Sequence, residues 1–133
     1  MTHDINIHHE DNHESASSYL VEEIRNLLVN SSRDFSIGLS GGNTPKLTYS
    51  MMAEKFDDLS KTYLWTIDDR WIEEDNDLSN QRMINEYFER TDANILKFEF
   101  TSSSPESDAK KYEDKLKSTI QIFDVAILGM GED

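Results

Sequence analysis

Four short runs read as strands, and the segments between them carry apolar residues every three or four positions. This alternation constrains the chain more than any other feature. Phe35, Ile37 and Leu39 alternate with Ser36 and Gly38, Thr62 to Ile67 is rich in aromatic and branched side chains, and Leu96, Phe98 and Phe100 alternate again. Phe123 to Gly129 is almost continuously apolar. Helical spacing predicts a first helix on Ala16, Leu20, Val21, Ile24, Leu27 and Leu28, and a second on Leu47, Met51 and Met52. A third follows from Met83, Ile84, Tyr87 and Phe88, and a fourth from Ala109, Tyr112, Leu116 and Ile120. Strands that take turns with helices predict a parallel sheet, because reaching a parallel neighbour needs a crossover long enough to hold a helix. The expected fold class is α/β, with helices on both faces of the sheet.

Turn chemistry punctuates the same pattern. Ser40-Gly41-Gly42-Asn43 closes the first strand, and Pro45 suits the opening turn of the next helix. Asp77 or Ser79 is placed to cap the third helix, and Ser104 ahead of Pro105 signals the start of the fourth. Ile5 and Ile7 leave open a weak edge strand or a frayed terminus. A chain of 133 residues has room for one domain, and its hydrophobic content of 36% predicts a thin core. The run FDVAILG has the pattern of a central strand buried on both faces, yet only Met130 to Asp133 follow it. Residues 1–133 are therefore expected to be a single α/β domain, the N-terminal portion of a longer one, incomplete at its carboxyl end. Self-association through the uncovered last strand is the other expectation.

Charge and composition exclude several classes. A net charge of −14 rules out a basic nucleic-acid footprint as the default. The absence of cysteine removes disulfides, thiolate metal sites and thiol nucleophiles. No stretch is apolar enough to predict a membrane span, and MTHDINIHHE lacks the pattern of a signal peptide, so a cytoplasmic protein is expected. His3, His8, His9 and His13 all lie near the start and read as exposed imidazoles, none well placed for a site at the strand ends. No metal site is expected from them.

In an open α/β sheet, ligands bind beyond the carboxyl ends of the strands. Three polar loops fall there: Ser40 to Thr44, Asp68 to Asp77, and Gly129 to Asp133. In the first, two glycines clear space for a ligand at a helix N-terminus, which suits a phosphosugar cradle, although a bare Ser-Gly-Gly more often marks a tight strand-to-helix turn. In the second, Arg70 stands alone among Asp68, Asp69, Glu73, Glu74, Asp75 and Asp77, and reads either as an ion-pair partner or as a fork aimed at a phosphate or carboxylate. Asp75, Asp77, Ser79 and Glu86 imitate the spacing of a calcium loop, but Asn80 stands where that loop needs glycine, so a solvated acidic surface is the better reading. Lys46 and Arg82 are the other nearby cations that could attract an anion.

Together LSGGNTPKL (Leu39 to Leu47), TIDDRW (Thr66 to Trp71), LSNQRM (Leu78 to Met83) and FDVAILGMGED (Phe123 to Asp133) resemble the 6-phosphogluconolactonase family. That family sits in a wider group with glucosamine-6-phosphate deaminase and ribose-5-phosphate isomerase. The resemblance implies a Rossmann-like parallel sheet and hydrolysis of 6-phosphogluconolactone to 6-phosphogluconate in the pentose phosphate pathway, with no metal or organic cofactor. It places the substrate loop on Ser40, Gly41, Gly42, Asn43 and Thr44, and the catalytic Asp-Glu-Arg motif on Asp68, Asp69 and Arg70. There Asp68 orients catalytic groups, Arg70 contacts the anionic substrate, and Asp69 departs from the usual glutamate. Asn80, Arg82, Gly131 and Asp133 are further candidates. The closing GMGED looks like the start of a Gly-x-Gly-x-Asp-Gly-His segment, so the histidine that activates water is expected just past Asp133, and the 133-residue chain alone is expected to be inactive or nearly so. A deaminase or isomerase of the same fold is the nearest rival, although its counterpart of Arg70 is usually aromatic. A non-catalytic phosphosugar-binding module is the rival from another class.

Overall fold

A computed structural model of the chain describes residues 3–130. The elements run α1 (His13–Val29), β1 (Phe35–Leu39), α2 (Lys46–Lys55), β2 (Thr62–Thr66), α3 (Asn80–Phe88), β3 (Asn94–Leu96), α4 (Pro105–Thr119) and β4 (Val125–Ile127). The four strands form one parallel sheet in the order β3-β2-β1-β4. Ile37 pairs with Leu64 on one side and Val125 on the other. Among the described residues, no helix is long and apolar enough to cross a membrane.

The alternation along β1 and β2 sorts their side chains onto two faces. Phe35, Ile37, Leu39 and Leu64 point into a core shared with Val21 and Ile24 of α1, Tyr49 and Met52 of α2, and Met83, Ile84 and Phe88 of α3. On the opposite face Trp65 donates its indole N–H to Ser36 Oγ at 2.9 Å. A side chain on Gly38 would run into the Trp65 ring, with its β-carbon 2.7 Å from the nearest ring atoms. α4 serves this second face, donating its Tyr112 hydroxyl to the Thr66 carbonyl at 2.7 Å and burying Ile120.

Several expectations shift by a residue or more. α1 buries Ser17, Val21 and Ile24, with Leu20 and Leu28 at the margin, while Ala16 and Leu27 face solvent. The stripe is thus rotated from the one expected, because a small serine lets the helix approach closely where an apolar residue was sought. α2 buries Thr48, Tyr49 and Met52, with Leu47 only half-buried. The third strand covers Asn94 to Leu96 instead of Leu96 to Phe100. Phe98 leaves the ladder because its N–H donates to the Gln81 carboxamide at 2.9 Å, and Phe98 and Phe100 pack their rings edge-on against Tyr112 and Trp71. Ala109 of α4 is exposed, and Asp108 takes the buried place beside it.

Among the described residues β4 lies at one edge of the sheet, paired with β1 alone, with Ala126 and Phe123 exposed. Its apolar sequence pattern calls for cover that nothing among the described residues supplies. Ile5 and Ile7 lie in irregular, exposed chain.

Candidate active site

Caps set the start of each helix around the strand ends. Ser79 rather than Asp77 caps α3, accepting the Arg82 N–H at 3.1 Å, and Ser104 caps α4 by accepting from Ser107. α2 begins at Lys46 behind Pro45 with no side-chain cap, and its Lys46 N–H donates to the Asn43 carbonyl at 3.3 Å. Gly42 adopts a φ of +91°, a conformation that favours glycine, and this turns the chain from β1 into α2.

The loops after β1, β2 and β4 then converge. Ser40, Gly41, Gly42, Thr44, Asp68, Arg70, Asn80, Gly129 and Met130 line one open cleft of about 550 Å³ at the carboxyl ends of the strands. Asn80 is its hinge point. Its Oδ1 accepts from Arg70 Nη1 at 3.1 Å, and its Nδ2 donates to the Asp68 carbonyl at 2.9 Å. A β-carbon on Gly41 would lie 2.7 Å from Asn80 Nδ2 and closer still to the rest of that carboxamide. Glycine is needed at 41 because the first loop presses directly against the residue that holds Arg70.

Asp69 has a structural place. One carboxylate oxygen accepts from the Asn80 and Arg70 N–H groups at 2.7 and 2.8 Å, and the other from Gln81 N–H at 3.0 Å. The side chain is spent on the N-terminus of α3, where a carboxylate is favoured by the unpaired amides and the helix dipole. Asp68 is exposed at the cleft wall. Arg70 makes no ion pair among the described residues: Nη1 rests on Asn80 and on the Leu78 carbonyl at 3.1 Å, which leaves the rest of the fork without a partner. Of the two readings left open by the sequence, the ion-pair one is not met among the described residues.

Beneath the first loop, Tyr49 donates its hydroxyl to the Ser40 carbonyl at 2.7 Å, and burial pushes its phenol up to about 12. It therefore remains a protonated donor across the physiological range. Ser40 Oγ is buried at the base of the cleft with no hydrogen-bond partner among the described residues.

Other candidates lie elsewhere. Arg82 turns away from the cleft, holding Asp77 at 2.6 Å and Glu86 at 2.9 Å, and these pairs also tie up two of the carboxylates that imitated a calcium loop. Lys46 and Asn43 do not line the cleft. Gly131 and Asp133 lie outside the described residues. His8 stacks on Tyr19 with ring centroids 3.4 Å apart. His13 lies nearer the strand ends than its sequence position suggested, because α1 starts there. It lines a depression of about 160 Å³ that shares Thr44, Pro45, Leu128 and Gly129 with the cleft. Among the described residues no group of three or more His, Asp or Glu side chains could hold a metal ion.

A parallel sheet flanked by helices, with a cleft where its loops gather at the carboxyl rim, defines an α/β protein of the open-sheet kind. The family model for glucosamine-6-phosphate isomerases and 6-phosphogluconolactonase matches residues 8–133, and the chain belongs to that family. It is 35% identical over 122 residues to 6-phosphogluconolactonase from Thermotoga maritima, covering 86% of this chain and 55% of that protein. It is 34% identical over 109 residues to the enzyme of the same name from Synechocystis, covering 74% of this chain and 45% of the other. The crystal structure of a 6-phosphogluconolactonase from Shewanella baltica superposes with a TM-score of 0.81 at 27% identity, over 92% of this chain and 55% of that one. A monomeric glucosamine-6-phosphate deaminase superposes with a TM-score of 0.77 at 18% identity, a likeness of fold alone. The chain spans about half the length of the curated relatives it matches.

Proposed function

We propose that this chain supplies the substrate-cradling half of a 6-phosphogluconolactonase, which opens the ring ester of 6-phosphogluconolactone with water. The observation that carries the reading is the meeting of Gly41, Asn80 and Arg70 at one point of the cleft. Relatives bearing the lactonase name at 34–35% identity support it. The uncapped start of α2 and the Arg70 fork offer donors to the anionic groups of such a substrate. Water adds to the lactone carbonyl to give a tetrahedral oxyanion, the ring C–O bond then breaks, and the product is a carboxylate. Donors fixed in advance, Arg70 among them, lower that barrier where the charge develops.

In this reading Asp68 stands at the cleft wall as the carboxylate that orients catalytic groups, and Asp69 acts only through the geometry of α3. No imidazole lines the cleft among the described residues, so the group that takes the proton from water is assigned to the histidine expected past Asp133. The step calls on no metal or organic cofactor.

Two measurements test the proposal. The 133-residue chain should bind 6-phosphogluconate and lose most of that affinity in Arg70→Ala. Extending the chain through the reading frame beyond codon 133 should give lactone opening well above the spontaneous rate. Binding unchanged in Arg70→Ala removes the site assignment, and an extended protein that binds product without accelerating the lactone is a binding module.

A further inference from the structure

We propose that Asp108 of α4, which does not line the cleft, is a positioning residue for Arg70 and acts through the Trp71 indole. The inference rests on the lactonase reading and concerns how that site is held.

Arg70 sits between two anchored neighbours. On one side Asp69 is bound by both carboxylate oxygens to the start of α3. On the other, Trp71 donates its indole N–H to Asp108 Oδ2 at 3.0 Å, and its ring meets Phe100 edge-on with centroids 5.2 Å apart. Asp108 is itself 1% exposed and is paired with no cation among the described residues. Its other donors are the Thr101 N–H at 2.8 Å and hydroxyl at 2.6 Å. A carboxylate so placed is costly unless neutral donors surround it, and three do here. The two Thr101 bonds would suffice to order the turn before α4. The third comes from the residue next to Arg70, and it gives the Asp68-Asp69-Arg70 turn a second fixed end.

Four residues along α4, Tyr112 holds the Thr66 carbonyl at the end of β2, so one helix grips the strand end and the loop that leaves it. With both ends of the turn fixed, the Arg70 backbone has little freedom. Its guanidinium is presented to the cleft without the ordering cost that a mobile loop would carry on binding.

The decisive variant is Trp71→Phe, which keeps the Asp108–Thr101 bonds and an aromatic ring against Phe100 and removes only the indole N–H. The Arg70 Nε resonance in a nitrogen-labelled sample should shift and broaden without ligand. Affinity for 6-phosphogluconate should fall roughly three- to tenfold with little change in melting temperature. In an Arg70→Ala background, Trp71→Phe should then add nothing, whereas losses that multiply would show that Trp71 acts independently of Arg70 and overturn the proposal. Asp108→Asn, which retains one accepting oxygen, should sit between wild type and Trp71→Phe. Should the wild-type chain fail to bind 6-phosphogluconate at all, the lactonase reading falls, and the Arg70 resonance alone decides whether Asp108 positions Arg70 through Trp71: movement in Trp71→Phe upholds it and an unmoved signal overturns it.

Discussion

The two faces of the sheet are held by different forces. On the α1–α3 face, Ile37, Leu39, Leu64, Tyr49, Met52, Ile84 and Phe88 are almost wholly buried and pack against one another. On the α4 face, the strands present Ser36, Gly38 and Trp65, and the contacts are directed hydrogen bonds from Trp65, Tyr112 and Trp71. Apolar burial is roughly proportional to area and indifferent to direction, whereas a hydrogen bond contributes little net stability but fixes orientation. The first face therefore carries most of the folding free energy, and the second sets where the loops at the strand ends point.

The largest expected effect tests the first half of that contrast. Ile37→Ala removes a side chain that is fully buried between α1, α2 and α3, and should destabilise the chain by about 2–5 kcal/mol in a urea titration. A loss below about 1 kcal/mol would mean that this face is not the main source of stability. Gly41→Ala comes next. Its new β-carbon overlaps the Asn80 carboxamide, which must move and release Arg70, a crowding worth about 1–3 kcal/mol. The marker is a loss of 6-phosphogluconate binding out of proportion to the loss of stability. Equal losses in the two would place Gly41 in the fold and outside the site.

The contrast also explains what was legible beforehand. The alternation that runs through Phe35, Ile37 and Leu39 gave β1 and its buried face, and Ser40-Gly41-Gly42-Asn43 gave the turn, because both signals are local. The β3 strand was misplaced because Phe98 and Phe100 have strand-like spacing but find tertiary partners in Tyr112 and Trp71. At the cleft, the motifs point to Ser40, Gly41, Gly42, Thr44, Asp68 and Arg70 but also to Asn43 and Asp69, which do not line it, and Asn80 is only one candidate among several, since nothing local marks it as the joint between two loops. The sequence leaves Asp69 without a definite role because its helix-capping partners Asn80 and Gln81 lie 11 and 12 residues away. Asp108 was hidden in a run of charged residues whose helical spacing made Ala109 the natural inward position.

Smaller effects sharpen the second half of the comparison. Asp69→Ala leaves the Asn80 and Gln81 amides without their acceptor and should cost about 0.5–2 kcal/mol, the range for losing a helix cap. Because α3 also carries Asn80, binding should weaken along with stability, and Asp69→Asn should recover part of both. Tyr112→Phe removes only the bond to the Thr66 carbonyl and should cost about 0.5–1.5 kcal/mol. If it costs as much as Ile37→Ala, the two faces are not held differently.

The last effect is read from its dependence on pH. The side-chain and backbone donors of Thr101, with the Trp71 indole, hold the Asp108 carboxyl at about 2 against an ordinary 3.8. A folded value below the unfolded one means that the unfolded chain binds the proton first as pH falls. The stabilisation is therefore complete above about pH 4 and is lost as pH falls from there through about 2. Urea titrations of wild type at pH 6, 4, 3 and 2 should show a drop across the lower part of that range which Asp108→Asn, having no carboxyl to titrate, shows less steeply. Parallel curves would mean that Asp108 is no better stabilised folded than unfolded. The grip of α4 on Trp71 would then lack the strength to hold a loop against thermal motion.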